Sequence, residues 1–149
     1  MLINGRIWRD GGSWLAESPI IDVMTQGRTR TDAAAMLADA IESLVNRADF
    51  KVKVRDAGPP GDVAIEANEP AHLAALVLKR QRVAHGLSLS QAAERLGQAS
   101  KTTYARYETG QVVPALDRFI ELLAVIAPEF ALTLGSRLAH SPIKKTRRA

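Results

Sequence analysis

The chain contains no cysteine, which excludes disulfides, thiolate metal sites and cysteine nucleophiles. No apolar stretch approaches the ~18 residues needed to span a bilayer. The opening, MLINGRIWRDGG, alternates like a strand and lacks the apolar core of a signal peptide. The three histidines, His72, His85 and His140, are scattered, with no spacing suited to a metal. These absences predict a cytoplasmic protein with no cofactor, no metal and no membrane partner. What is present fits a globular chain: 149 residues, 46% hydrophobic and 24% charged, room for one ordinary domain or two small ones.

The net charge of +4 hides a split. Residues 1–69 hold 8 Lys/Arg against 11 Asp/Glu, whereas residues 70–149 hold 12 against 5. All of the basic excess lies in the second half. Positive charge gathered in one region suits polyphosphate binding, because each neutralised phosphate releases condensed counterions. A solvated basic surface would look the same from charge alone.

In the first half, Ile3, Gly5 and Ile7 alternate with Asn4, Arg6 and Trp8, the period of a half-buried strand from Leu2 to Trp8. Asp10-Gly11-Gly12 is a hairpin signal, because these residues tolerate positive φ. A second strand is expected over Trp14–Glu17 and, after Ser18-Pro19, a third over Ile20–Thr25. Ala33, Met36, Leu37, Ala40, Ile41 and Leu44 form one helical stripe, with Thr29 as its cap and Asp32 in its first turn. Phe50, Val52 and Val54 predict another strand, and Val63-Ala64-Ile65 an extra one at the sheet edge. The order is β-β-β-α-β with a further β.

That order, with the strand pair around Asp10-Gly11-Gly12, Ser18-Pro19, and Thr25-Gln26-Gly27-Arg28-Thr29 leading into Ala33-Ala34, resembles the HicB antitoxin domain over roughly residues 2–67. The resemblance implies a partial RNase-H-like fold that binds a toxin. Metal-dependent nuclease chemistry needs several converging carboxylates. The first strand has none, Asp10 lies in a turn, and Asp32 and Asp39 suit a helix start and a solvated face. The protein is therefore expected not to be an enzyme. Trp8 and Trp14 flank the hairpin, either as a cross-strand aromatic pair or as anchors for a toxin, since Trp is enriched at binding hot spots.

In the second half, Asn68-Glu69-Pro70 is expected as a linker, and Leu73, Leu76, Val77, Arg80 and Val83 predict a helix over 70–84 ended by His85-Gly86. Ser88-Leu89-Ser90-Gln91 matches a capping box opening a short helix, Leu89–Leu96, with Ala92, Ala93 and Leu96 inward. Ser100 caps the next, Lys101–Thr109, with Thr103, Tyr104 and Tyr107 inward. Ala115–Ile126 is a last amphipathic helix, its inner face being Leu116, Phe119, Ile120, Leu123 and Ile126. Two short helices braced by longer ones form the core of a DNA reader.

Gly86-Leu87-Ser88, Ala93-Glu94-Arg95-Leu96-Gly97, Ser100, Arg106-Tyr107-Glu108-Thr109-Gly110, Pro114 and Leu116, at these spacings, resemble the Xre family of λ-repressor-like domains over about residues 71–127. The resemblance implies that the helix entered by Ser100 is the recognition helix. It makes Ser100 a phosphate or cap contact and Lys101, Thr102 and Arg106 base-reading positions, with Thr103 beside them. Where that family often has a phosphate-holding Gln, this chain has Leu89, and Ser90 or Gln91 stands in. The turn Gly97-Gln98-Ala99 is one residue longer than usual. Lys and Arg donate to guanine O6 and N7, and Thr offers a hydroxyl or a methyl contact.

Beyond the last helix, Phe130, Leu132 and Leu134 alternate with Ala131 and Thr133. This pattern suits either an intermolecular two-stranded ribbon making a homodimer or packing back on the chain's own helices. Lys144-Lys145-Thr146-Arg147-Arg148 is expected to be disordered. The chain thus divides into 1–67, 71–127 and 128–149. Together the resemblances imply an antitoxin that covers a HicA-like, mRNA-cleaving toxin and represses its own operon on double-stranded operator DNA. The alternative is a stand-alone Xre-family regulator whose first half senses a ligand or only oligomerises.

Overall fold

A computed structural model gives the fold of residues 1–97 and 100–133. Gln98, Ala99, Leu134 and the basic tail lie outside these described residues. Five strands, β1 (Leu2–Asp10), β2 (Ser13–Ser18), β3 (Val23–Gly27), β4 (Val52–Asp56) and β5 (Asp62–Ala67), form one sheet in the order β3-β2-β1-β5-β4, antiparallel at every step. Alternation decides the faces. Ile3, Gly5 and Ile7 of β1 are buried, whereas Leu2, Asn4 and Arg6 are exposed. Helix α1 (Arg30–Val45) lies on the buried face. Thr29 caps it by accepting from the Asp32 amide at 3.1 Å, and Asp32 accepts from the Arg28 amide at 2.8 Å. Gly27 permits this junction, since a Cβ there would stand 2.3 Å from the Ala33 nitrogen.

Four expectations for this half are corrected. The segment Val63-Ala64-Ile65 is not an edge strand. It pairs with β1 on one side and β4 on the other, as its buried, uncharged residues require, and the edge falls to β4 with Lys53 and Arg55 exposed. The third strand starts at Val23 because Pro19–Ile21 is a 3-10 turn closed by Asp22 at φ 53°. Trp8 and Trp14 do not pair. The two-residue hairpin sets Asp10 opposite Ser13, which places Trp8 opposite Leu15 and Trp14 opposite Arg9, on opposite faces of the sheet. The stripe on α1 is also narrower than expected: Ala33, Leu37 and Ile41 are fully buried, but Met36 and Leu44 are 44% and 37% exposed.

Four helices follow: α2 (Pro70–Ala84), α3 (Leu89–Arg95), α4 (Lys101–Glu108) and α5 (Leu116–Ile126). In α2, Leu73 and the run Ala75, Leu76, Val77 and Leu78 are buried around the whole helix, because α2 packs on α1, β5 and the 3-10 turn as well as on α4 and α5. One apolar core therefore runs from Ile3 and Ile65 through α2 to Phe119 and Leu122. The segment expected as a linker is tied down. The Asn68 side chain accepts from the Lys51 amide at 2.8 Å and donates to the Asp49 carbonyl at 2.7 Å. Leu116 and Ile120, expected inward, are 54% and 45% exposed, and Leu122 is buried instead. Phe130 turns back onto the chain's own core, residues 130–133 form no strand, and Leu132 is exposed.

Among the described residues, no helix is long and apolar enough to cross a membrane.

Candidate nucleic-acid interface

Helix α4 has an inner and an outer side of different chemistry. On the inner side Tyr104 is fully buried and Tyr107 half-buried. Glu108 accepts two hydrogen bonds from Arg82 of α2, from Nε at 2.7 Å and Nη2 at 2.9 Å. Both side chains are largely buried, 13% exposed for Arg82 and 5% for Glu108. Arg82 also donates to the Leu87 carbonyl at 2.6 Å, so one guanidinium joins α2, the turn before α3, and α4. A fork that satisfies both carboxylate oxygens is the geometry in which a buried pair holds position. Glu108 keeps the Arg82 guanidinium charged above its ordinary range, against the opposing cost of burial. Burial first, and the Glu108 carboxylate second, push the Tyr104 phenol well above its usual range. Its hydroxyl has no hydrogen-bond partner among the described residues.

The outer side carries Lys101, Thr102, Thr103 and Arg106, all exposed. Thr102 and Arg106 are four residues apart and Thr103 and Arg106 three, so they share a face. Thr103, expected inward as well as near the DNA, is on the outside only, because Tyr104 and Glu108 fill the inner positions. Ser100 caps α4 by accepting from the Thr102 amide at 3.2 Å. Among the described residues neither Lys101 nor Arg106 has a carboxylate partner, in contrast to Arg82 with Glu108 and Arg118 with Glu121. Both cations are free to donate to a ligand.

Helix α3 stands before α4 with Ala92 and Ala93 buried. Its capping box is complete: Ser88 accepts from the Gln91 amide at 3.1 Å, and Gln91 Oε1 accepts from the Ser88 amide at 2.8 Å. Gln91 therefore has only its amide nitrogen left for a phosphate. Ser90 is exposed.

The basic excess of this half is not all available to a polyanion. Arg80 and Arg82 make internal pairs, and Arg137, Lys144, Lys145, Arg147 and Arg148 fall outside the described residues. Sequence reasoning did not find the Arg82–Glu108 pair, whose members are 26 residues apart, nor the buried Gln81. A signal for Gln81 was present, since it continues the buried line Leu73, Val77 at four-residue spacing.

On the open face of the sheet, Trp8 is half-buried with the Arg6 guanidinium 5.7 Å from its ring centroid. Trp14 lies on the α1 side and packs against the core.

Residues 73–131 match the model of a helix-turn-helix domain. The match spans α2 to α5, stops short of the sheet and covers less than half of the chain. No curated protein gives a significant match. The chain therefore carries a helix-turn-helix domain in its C-terminal part, the architecture of a DNA-binding regulator.

Proposed function

We propose that the chain is the antitoxin of a toxin–antitoxin pair, one that represses its own operon and neutralises a HicA-like, mRNA-cleaving toxin by direct contact. The observation that carries the DNA-binding half is the outer side of α4. Lys101, Thr102 and Arg106 are exposed, and neither cation has a carboxylate partner among the described residues, on a helix locked from behind by Arg82 and Glu108. Such a helix enters a major groove with its register already fixed, so little is lost in ordering it on the DNA. Ser90, Gln91 and Ser100 flank it as phosphate contacts that position without reading sequence.

The antitoxin half rests on the resemblance of residues 2–67 to the HicB domain, which implies a partial RNase-H-like fold that binds a toxin. Arg6 and Trp8 on the open sheet face support it, since Arg and Trp are the side chains most often found at interface hot spots. A net acidic first half also favours encounter with a basic, RNA-binding partner.

The test is co-expression with the product of the adjacent reading frame. The chain and a toxin-sized partner are expected to co-purify and to shift a fragment of their own promoter. In Lys101→Ala/Arg106→Ala, promoter binding is expected to fall by at least about thirtyfold, each contact contributing about 1–3 kcal/mol, while the partner is still held. Repression that survives the double change would refute the DNA assignment. A neighbour that is not toxin-sized and does not co-purify would leave the stand-alone regulator.

A further inference from the structure

We infer that the outer edge of β3 pairs with the same edge of a second copy, joining two five-stranded sheets across a two-fold axis. The inference depends on neither the toxin nor the operator. It begins with an asymmetry between the two ends of the sheet. The edge at β4 carries Lys53, Arg55 and Asp56, charges of the kind that keep an edge from accepting another strand. The edge at β3 reads Val23-Met24-Thr25-Gln26-Gly27, with no charge and no proline. Among the described strands only β2 pairs with it. Met24 is 58% exposed and Gln26 is exposed. An uncharged, regular edge has nothing to deter a partner.

The sequence around this edge is self-complementary. Antiparallel pairing centred on Thr25 sets Thr25 against its own copy, a favourable cross-strand pair, and Met24 against the partner's Gln26. A shift of one residue either way sets Thr25 opposite Gln26 or Met24, which face the other side of the sheet, and loses both pairs. On the open sheet face, Gln26 lies opposite Leu15, which lies opposite Trp8. The partner's Met24 then extends this row and covers apolar surface left open in the single chain.

Sedimentation of the full chain tests the pairing. The wild type is expected at twice 16.1 kDa or a multiple of that. Met24→Lys/Gln26→Lys alters two exposed side chains and leaves the fold intact by circular dichroism, but it sets lysine against lysine across the joint. The mass is expected to halve. Met24→Glu/Gln26→Lys restores opposite charges in the same register and is expected to recover the wild-type mass. A wild type that stays monomeric at every concentration overturns the inference. So does a double-lysine variant that keeps the wild-type mass, or one whose loss is not recovered by the charge-swapped variant.

Discussion

The two halves of this molecule are held by different means. The sheet half is built on alternation, with Ile3, Ile7, Ala16 and Ile65 turned to α1, and its polar tie from Glu42 to Lys51 and Val52 sits at the surface. The helical half is built around a buried ion pair, Arg82 with Glu108. Between them α2 serves both, and three consecutive residues divide the work. Arg80 donates to the Ile21 and Asp22 carbonyls and to the Asp22 carboxylate. Gln81 donates to the Pro19 and Ile20 carbonyls, and Arg82 turns to Glu108. Depth of burial therefore ranks the ties, because a buried polar group left without its partner costs far more than an exposed one.

The strongest way to break this ranking is Arg82→Ala. It leaves Glu108 charged in a site where only 5% of its side chain reaches water, and the expected loss is about 3–5 kcal/mol by urea denaturation. Arg82→Met with Glu108→Leu removes both charges together and is expected to cost much less. If the single and double changes cost the same, the pair is not what holds α4.

Gln81→Leu probes the junction and ranks second. The side chain is 2% exposed, and a leucine fills similar space; the Pro19 carbonyl keeps the Asp22 amide, but the Ile20 carbonyl loses the Gln81 donor, at a cost of about 1–3 kcal/mol. Because the core is continuous through α2, the wild type should unfold in one transition. A second transition in Gln81→Leu alone would show that this residue couples the halves. Two transitions in the wild type would show that the halves are independent.

Local chemistry carried most of this architecture into the sequence. The caps at Thr29, Ser88 and Ser100 are side chains reading their own next turn, and the bounds of α2 follow from Pro70 and the glycine at 86. Register and depth were harder. Whether Trp8 meets Trp14 depends on a loop of two residues, where one residue more or less exchanges the faces. The exposure of Leu116, Ile120, Met36 and Leu44 depends on how many neighbours each helix has, which periodicity does not report. At the reading helix, residue types and spacing marked Lys101, Thr102 and Arg106. The support beneath them did not show, because Arg82 and Glu108 are distant in sequence and each resembles an ordinary surface charge.

The smallest effect belongs to the sheet half and separates charge from packing. Glu42 accepts from the Val52 amide at 2.8 Å and from Lys51 Nζ at 3.0 Å. The Val52 hydrogen bond first, then that from Lys51, hold its pKa below the ordinary value of 4.5. A carboxyl whose pKa is lower in the folded state stabilises the fold above its unfolded pKa, and that contribution is lost as pH falls through the folded value. Glu42→Gln keeps an acceptor for Val52 but discards the charge. It is expected to cost about 0.2–1 kcal/mol at pH 7, the range of a surface pair. The gap between wild type and variant should close as acid protonates Glu42 in both states. A gap in urea midpoint that stayed constant from pH 7 to below pH 3 would assign the effect to shape. The sheet half would then depend on packing alone, and the contrast with the buried pair beneath α4 would be sharper still.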